Sequence, residues 1–150
     1  MDYEISTETG VDQRMDLKDR PSRILHTMIR VMDLQRSLDF YIGALGMQLV
    51  RRQDYPTGRF TLAFLGYGTE DESTVLELTH NWDQAEPYAQ GTAWGHIAIA
   101  VSDIHAVCAD LAEWGVNIVR APGPMKHSPT LISFIEDPDG YKIELIQRSF

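Results

Sequence analysis

The residue most in need of explanation is Glu144. It stands inside the apolar run 141–146, where strict alternation sends Tyr141, Ile143 and Leu145 to one face and Lys142, Glu144 and Ile146 to the other. A carboxylate in mid-strand is costly unless something pairs with it. Glu77 has the same setting among Val75, Leu76 and Leu78, and two histidines, His26 and His96, sit in apolar runs of their own. Two neutral imidazoles and two carboxylates form a mixed nitrogen and oxygen donor set. Such a set suits borderline divalent ions such as zinc, nickel or cobalt. The two negative charges balance the cation, and an octahedral shell keeps two positions for water or substrate.

Each of the four has a plainer reading on its own. A lone histidine in an apolar strand is usually a satisfied core residue, Glu144 could pair with Lys142 or Arg148, and Glu77 could face solvent. Their spacing argues otherwise. His26 precedes Asp33 by seven residues and His96 precedes Asp103 by seven; His26 to Glu77 spans 51 residues and His96 to Glu144 spans 48. An internal repeat explains four matching positions better than four accidents.

The elements that must hold these residues follow the same repeat. Residues 24–31 form a β-branched, apolar run, hence a strand. Asp33 then caps a helix carrying Leu34, Leu38, Tyr41, Ile42 and Leu45, stopped by Gly46. Strands are expected at 47–52, 59–65 and 74–79. In the second half 95–101 is a strand, and Asp103 caps a helix carrying Ile104, Val107, Cys108, Leu111 and Trp114. Gly115 stops that helix, and strands follow at 116–120, 131–135 and 141–146. Asp137-Pro138-Asp139-Gly140 closes the last two as a hairpin. The expected fold is therefore α+β, with two βαβββ modules (23–82 and 94–148) in one domain over 23–150, whose curved mixed sheets form a cleft. Residues 1–22 are polar with little apolar periodicity and read as a flexible extension; Met15 could equally begin the chain.

Strand parity adds neighbours. Met28 and Arg30 share the face of His26, and Thr79 and Asn81 that of Glu77. Arg30 could pair with a substrate carboxylate and Asn81 could hydrogen-bond an amide. His80, His105 and His127 have no match across the repeat, and Cys108 falls on the apolar face of its helix as a core residue.

The net charge of −9 argues against a nucleic-acid or anionic-membrane partner. No apolar run approaches the roughly 18 residues of a membrane helix. One cysteine excludes a disulfide framework and fits a reducing compartment, with the cytoplasm as the expected location.

The segments 25–30, 33–41, 45–47, 76–82, 95–98 and 136–145 closely resemble the glyoxalase I family of the vicinal oxygen chelate superfamily. The resemblance implies isomerisation of the methylglyoxal–glutathione hemithioacetal to S-lactoylglutathione through a metal-stabilised enediolate. It implies His26, Glu77, His96 and Glu144 as metal ligands, with Glu144 loosening to act as the base and Glu77 serving the opposite stereoisomer. It also implies a homodimer with sites at the subunit interface, each taking the first pair from one copy and the second pair from the other. Arg30 and Asn81 match glutathione-binding positions and Lys126 resembles a loop residue near the glycine carboxylate. A second arginine found before the Gly-His motif in longer members is replaced by Thr92 here. The compact second half is similar to the short bacterial nickel- or cobalt-activated type, with zinc as the other metal to test. Competing readings are a thiol transferase of the fosfomycin-resistance kind, an extradiol dioxygenase, or a metal-free small-molecule-binding dimer. The first two use three ligands, so Glu77 argues against them.

Overall fold

The computed structural model describes residues 21–149. The expectation of a flexible extension at 1–22 therefore falls almost wholly outside the described residues. Two four-stranded mixed sheets form, in the orders β1-β4-β3-β2 and β5-β8-β7-β6. Their strands are β1 (His26–Arg30), β2 (Gln48–Tyr55), β3 (Phe60–Gly66), β4 (Val75–Asn81), β5 (Ile97–Val101), β6 (Asn117–Pro124), β7 (Leu131–Glu136) and β8 (Lys142–Gln147). In each sheet the first and last strands are adjacent and parallel, and the other pairs are antiparallel. That adjacency places each histidine beside the glutamate some fifty residues away. No helix among the described residues is long and apolar enough to cross a membrane.

Both helix starts follow local chemistry. The Asp33 carboxylate accepts from the Arg36 N–H at the head of α1 (Leu34–Leu38), and the Asp103 carboxylate from the Ala106 N–H at the head of α2 (Ile104–Glu113), each at 3.0 Å. Both stops use glycine with positive φ, 69° at Gly46 and 76° at Gly115, where other residues are strained.

The first helix departs from the sequence expectation. After Leu38 it continues as a π-helical stretch, Asp39–Ala44, in which the Leu45 N–H reaches the Phe40 carbonyl five residues back. One extra residue in a turn rotates everything beyond it relative to a 3.6-residue pattern. Phe40 is consequently buried and Ile42 lies at the surface, the reverse of a continuous α-helix. Trp114 also leaves its expected place, standing exposed at the end of α2 with its ring against Gly43.

Both helices contribute to a single core cluster that joins the modules. Leu34, Leu38 and Tyr41 from the first meet Ile104, Cys108, Leu111, Ile143 and Leu145 from the second. A buried polar junction crosses the same seam. The Tyr41 hydroxyl donates to Asp137 (2.7 Å), the Tyr141 hydroxyl donates to the Arg30 carbonyl (2.9 Å), and the Met32 N–H donates to Asp139 (3.0 Å). Burial pushes the Asp137 carboxyl above its usual range, partly offset by Tyr41 and by the backbone N–H groups of Tyr141 and Asp139.

Removing one donor leaves this carboxylate short of a partner, so Tyr41→Phe should cost about 1–3 kcal/mol in chemical denaturation. The variant should also push Asp137 further up. A folded-state value above the unfolded one means that its stabilisation is complete below the ordinary carboxylate range and is lost as pH rises through the raised value. The deficit of Tyr41→Phe is therefore expected to be larger at pH 8 than at pH 4. Equal deficits would place Asp137 outside the linkage.

Candidate metal centre

His26 opens β1 on the face that also carries Met28, and β1 runs parallel to β4 with Met28 opposite Glu77. This register sets the His26 Nε2 2.9 Å from the Glu77 carboxylate. The second module reproduces the arrangement. His96 immediately precedes β5, Ala98 lies opposite Glu144 on β8, and the His96 Nε2 sits 3.1 Å from the Glu144 carboxylate. Exposure repeats as well: the imidazoles are 38% and 41% exposed and both carboxylates 12%. Each half-site thus offers an open nitrogen donor beside a mostly covered oxygen donor. Thr79 donates to the other oxygen of Glu77 at 3.3 Å, so one oxygen is held while the other faces His26.

The repeat reaches further than the sequence indicated. Across the first sheet the residues paired in one row are Met28, Glu77, Phe64 and Arg51; across the second they are Ala98, Glu144, Phe134 and Arg120. Each phenylalanine ring stands nearly perpendicular to its histidine, Phe64 to His26 at 5.5 Å and Phe134 to His96 at 5.4 Å between centroids. The pairing shifts register between Leu49 and Arg51 and again between Ile118 and Arg120. A bulge re-aims the side chain that follows it, and here both bulges bring an arginine opposite the phenylalanine. Nothing in the hydrophobic pattern separated these phenylalanines from core residues. Only the alignment of Phe64 with Phe134, 13 and 10 positions before the two glutamates, could have pointed to them.

The donor set fits a divalent ion. Two ligands about 2.1 Å from one metal and at right angles to each other stand about 3.0 Å apart. The two His–Glu separations match that edge length. The four donors do not converge in one chain, however. Among the described residues no group of three or more His, Cys, Asp or Glu side chains gathers, and the four residues stand as two separate His–Glu pairs.

The remaining candidates divide between the halves. Arg30 closes β1 and Asn81 closes β4, both on the His26–Glu77 module. The Asn81 amide donates to the Tyr88 hydroxyl at 2.8 Å, which leaves its carbonyl oxygen available to accept. Lys126 lies in the turn between β6 and β7 on the other module, where the Ser128 N–H donates to the Met125 carbonyl. His80 faces away from Glu77, with its Nδ1 3.4 Å from the Val31 carbonyl. Cys108 is buried against the Ser133 hydroxyl, a core residue as expected.

A family model described as the glyoxalase/bleomycin resistance protein/dioxygenase superfamily matches residues 23–145. A lactoylglutathione lyase of Neisseria meningitidis serogroup A is 62% identical over 126 residues, 84% of this chain and 91% of that protein. Glyoxalase I from Zea mays superposes with a TM-score of 0.82 at 43% identity over 85% of this chain, which spans 45% of the maize chain's length. The trypanothione-dependent glyoxalase I of Leishmania major gives 0.74 at 46% identity, covering 85% of this chain and 87% of that one.

Proposed function

The chain belongs to the glyoxalase/bleomycin resistance protein/dioxygenase superfamily, and we infer that within it this protein is a lactoylglutathione lyase, isomerising the methylglyoxal–glutathione hemithioacetal to S-lactoylglutathione. The observation that carries the reading is the repeated His–Glu pair, in a chain 62% identical to a lactoylglutathione lyase.

His26, Glu77, His96 and Glu144 would hold one divalent ion per site, nickel or cobalt in preference to zinc. When bound, that ion supplies positive charge to offset the charge developing on the substrate oxygens. The chain's own groups do the rest. Glu144 takes the proton from C1 while the electrons of that C–H bond form a C1=C2 double bond and the C2=O π pair moves onto the C2 oxygen, giving an enediolate. The same carboxyl returns the proton to C2, the C1=C2 pair forming that C–H bond, while the proton of the C1 hydroxyl passes to the C2 oxygen, leaving a thioester carbonyl at C1 and a hydroxyl at C2. Low exposure suits this role, because a covered carboxylate loses fewer protons to bulk water in mid-reaction. Glu77 occupies the matching place in the repeat and serves the opposite stereoisomer. Arg30 pairs with a glutathione carboxylate, Asn81 accepts from a peptide N–H, and Lys126 faces the glycine carboxylate.

Two copies complete each centre, the His26–Glu77 pair of one meeting the His96–Glu144 pair of the other. The half-sites within one chain support this. The sole cysteine, buried and unpaired, supports a reducing compartment such as the cytoplasm.

The test is ultraviolet detection of the thioester from methylglyoxal plus glutathione, using chelator-stripped protein reloaded with nickel, cobalt, zinc or no metal. Turnover with nickel or cobalt and little with zinc is expected. Turnover only with zinc would overturn the metal assignment. No turnover in folded, metal-loaded protein would overturn the reaction.

A further inference from the structure

The two half-sites are alike in their ligands and unlike in what stands behind them. On the first module the Arg51 guanidinium carbon lies over the Phe64 ring, 3.4 Å from its centroid, on the row that leads to Glu77. Glu70, from the segment between β3 and β4, grips that guanidinium with both carboxylate oxygens at 2.7 and 3.1 Å. Arg51 in turn holds the Glu70 carboxyl below the usual carboxylate range. The result is a run of contacts from carboxylate through guanidinium and phenyl ring to imidazole. On the second module Arg120 follows the same bulge and faces Phe134, yet it donates to the Pro124 carbonyl (2.7 Å) and no carboxylate pairs with it among the described residues.

We propose that Arg51 is a positioning residue for His26, pinning the Phe64 ring whose perpendicular face fixes the imidazole beside Glu77, with Glu70 both clamping Arg51 and cancelling its charge. This rests on the reading of His26 as a metal ligand. Phe64 is buried with Arg51 over its ring, and removing that cover frees the ring to rock and the imidazole to turn away; a planar cation held by two hydrogen bonds blocks that motion. Neutralisation by Glu70 matters because an uncompensated cation would repel the divalent ion that the imidazole is meant to hold. The His96 half lacks this brace, so loss of Arg51 should weaken one half of each centre only.

The experiment is a titration of metal-free, full-length protein with cobalt(II) against a competing chelator, together with the visible spectrum of the bound cobalt. Wild type, Arg51→Met, Arg51→Lys and the charge-swapped Arg51→Glu/Glu70→Arg double variant would be compared. Arg51→Met should lower cobalt affinity about tenfold, the scale on which groups supporting a metal ligand act, and should alter the cobalt spectrum. Arg51→Lys keeps the charge without the planar fork and should recover part of the loss. The charge-swapped variant restores an ion pair while moving the cation off β2, and should bind as weakly as Arg51→Met. Arg51 is 46% exposed, so thermal unfolding should change little and serves as the folding control. If Arg51→Met does not fold, Arg51→Lys decides, and wild-type affinity in it overturns the proposal. Wild-type affinity and spectrum in Arg51→Met would overturn it too, as would full recovery in the charge swap, which would reduce the pair to a tie between β2 and the 67–74 segment. Wild-type protein that takes up no cobalt would instead overturn the metal centre itself.

Discussion

Glu144→Gln is expected to lower kcat about 10³-fold while metal stays bound, the middle of the range for removing a general base. Glutamine keeps the size of the side chain and an oxygen that can face His96, but its amide cannot accept a proton at working pH. The position favours a clean result: β8 is held by β5 on one side and β7 on the other, and Glu144 is only 12% exposed. Turnover of the hemithioacetal and metal content measured on one preparation decide the matter. Near-full turnover with metal present would remove Glu144 as the base. Glu144→Ala is the poorer test, because it deletes a donor along with the base and confounds lost metal with lost proton transfer.

The second large effect concerns the split between copies. His26→Ala and His96→Ala should each lose at least 10²-fold in activity, since a two-plus-two donor set with one nitrogen missing holds its ion poorly. Mixed as unfolded chains and refolded together, the two inactive variants should recover about a quarter of wild-type activity. Random two-fold pairing makes half of the dimers mixed, and each mixed dimer has one intact site of its two. The prediction follows from the absence, among the described residues, of a converging cluster of three or more donors. If both pairs of donors served a site inside one chain, every mixed dimer would carry a defect in each site and activity would stay near zero. Sedimentation of the refolded mixture shows whether dimers formed.

Much of this site was readable from residue types and spacing. The His26/His96 and Glu77/Glu144 correspondences, the aspartate caps and the glycine stops are local or periodic signals, set by side-chain chemistry within a few positions. Such signals survive in one dimension. The strand order came with the fold: a parallel β1–β4 pair and a parallel β5–β8 pair set each histidine beside its glutamate.

Other features were decided only in three dimensions. The π-helical stretch at Asp39–Ala44 interrupts the apolar period, and Tyr41 finds Asp137 only across the seam between modules, 96 positions away. Arg51 looks like any surface arginine until a bulge turns it onto Phe64 and a loop brings Glu70 to it. What the amino-acid order determined by itself was the correspondence of the two histidines and two glutamates across the repeat and the elements that carry them, since propensity, alternation and capping act over short range. What the tertiary structure decided was which face each arginine joined and that the donors remain two pairs in one chain. Those outcomes depend on register and on contacts between distant segments.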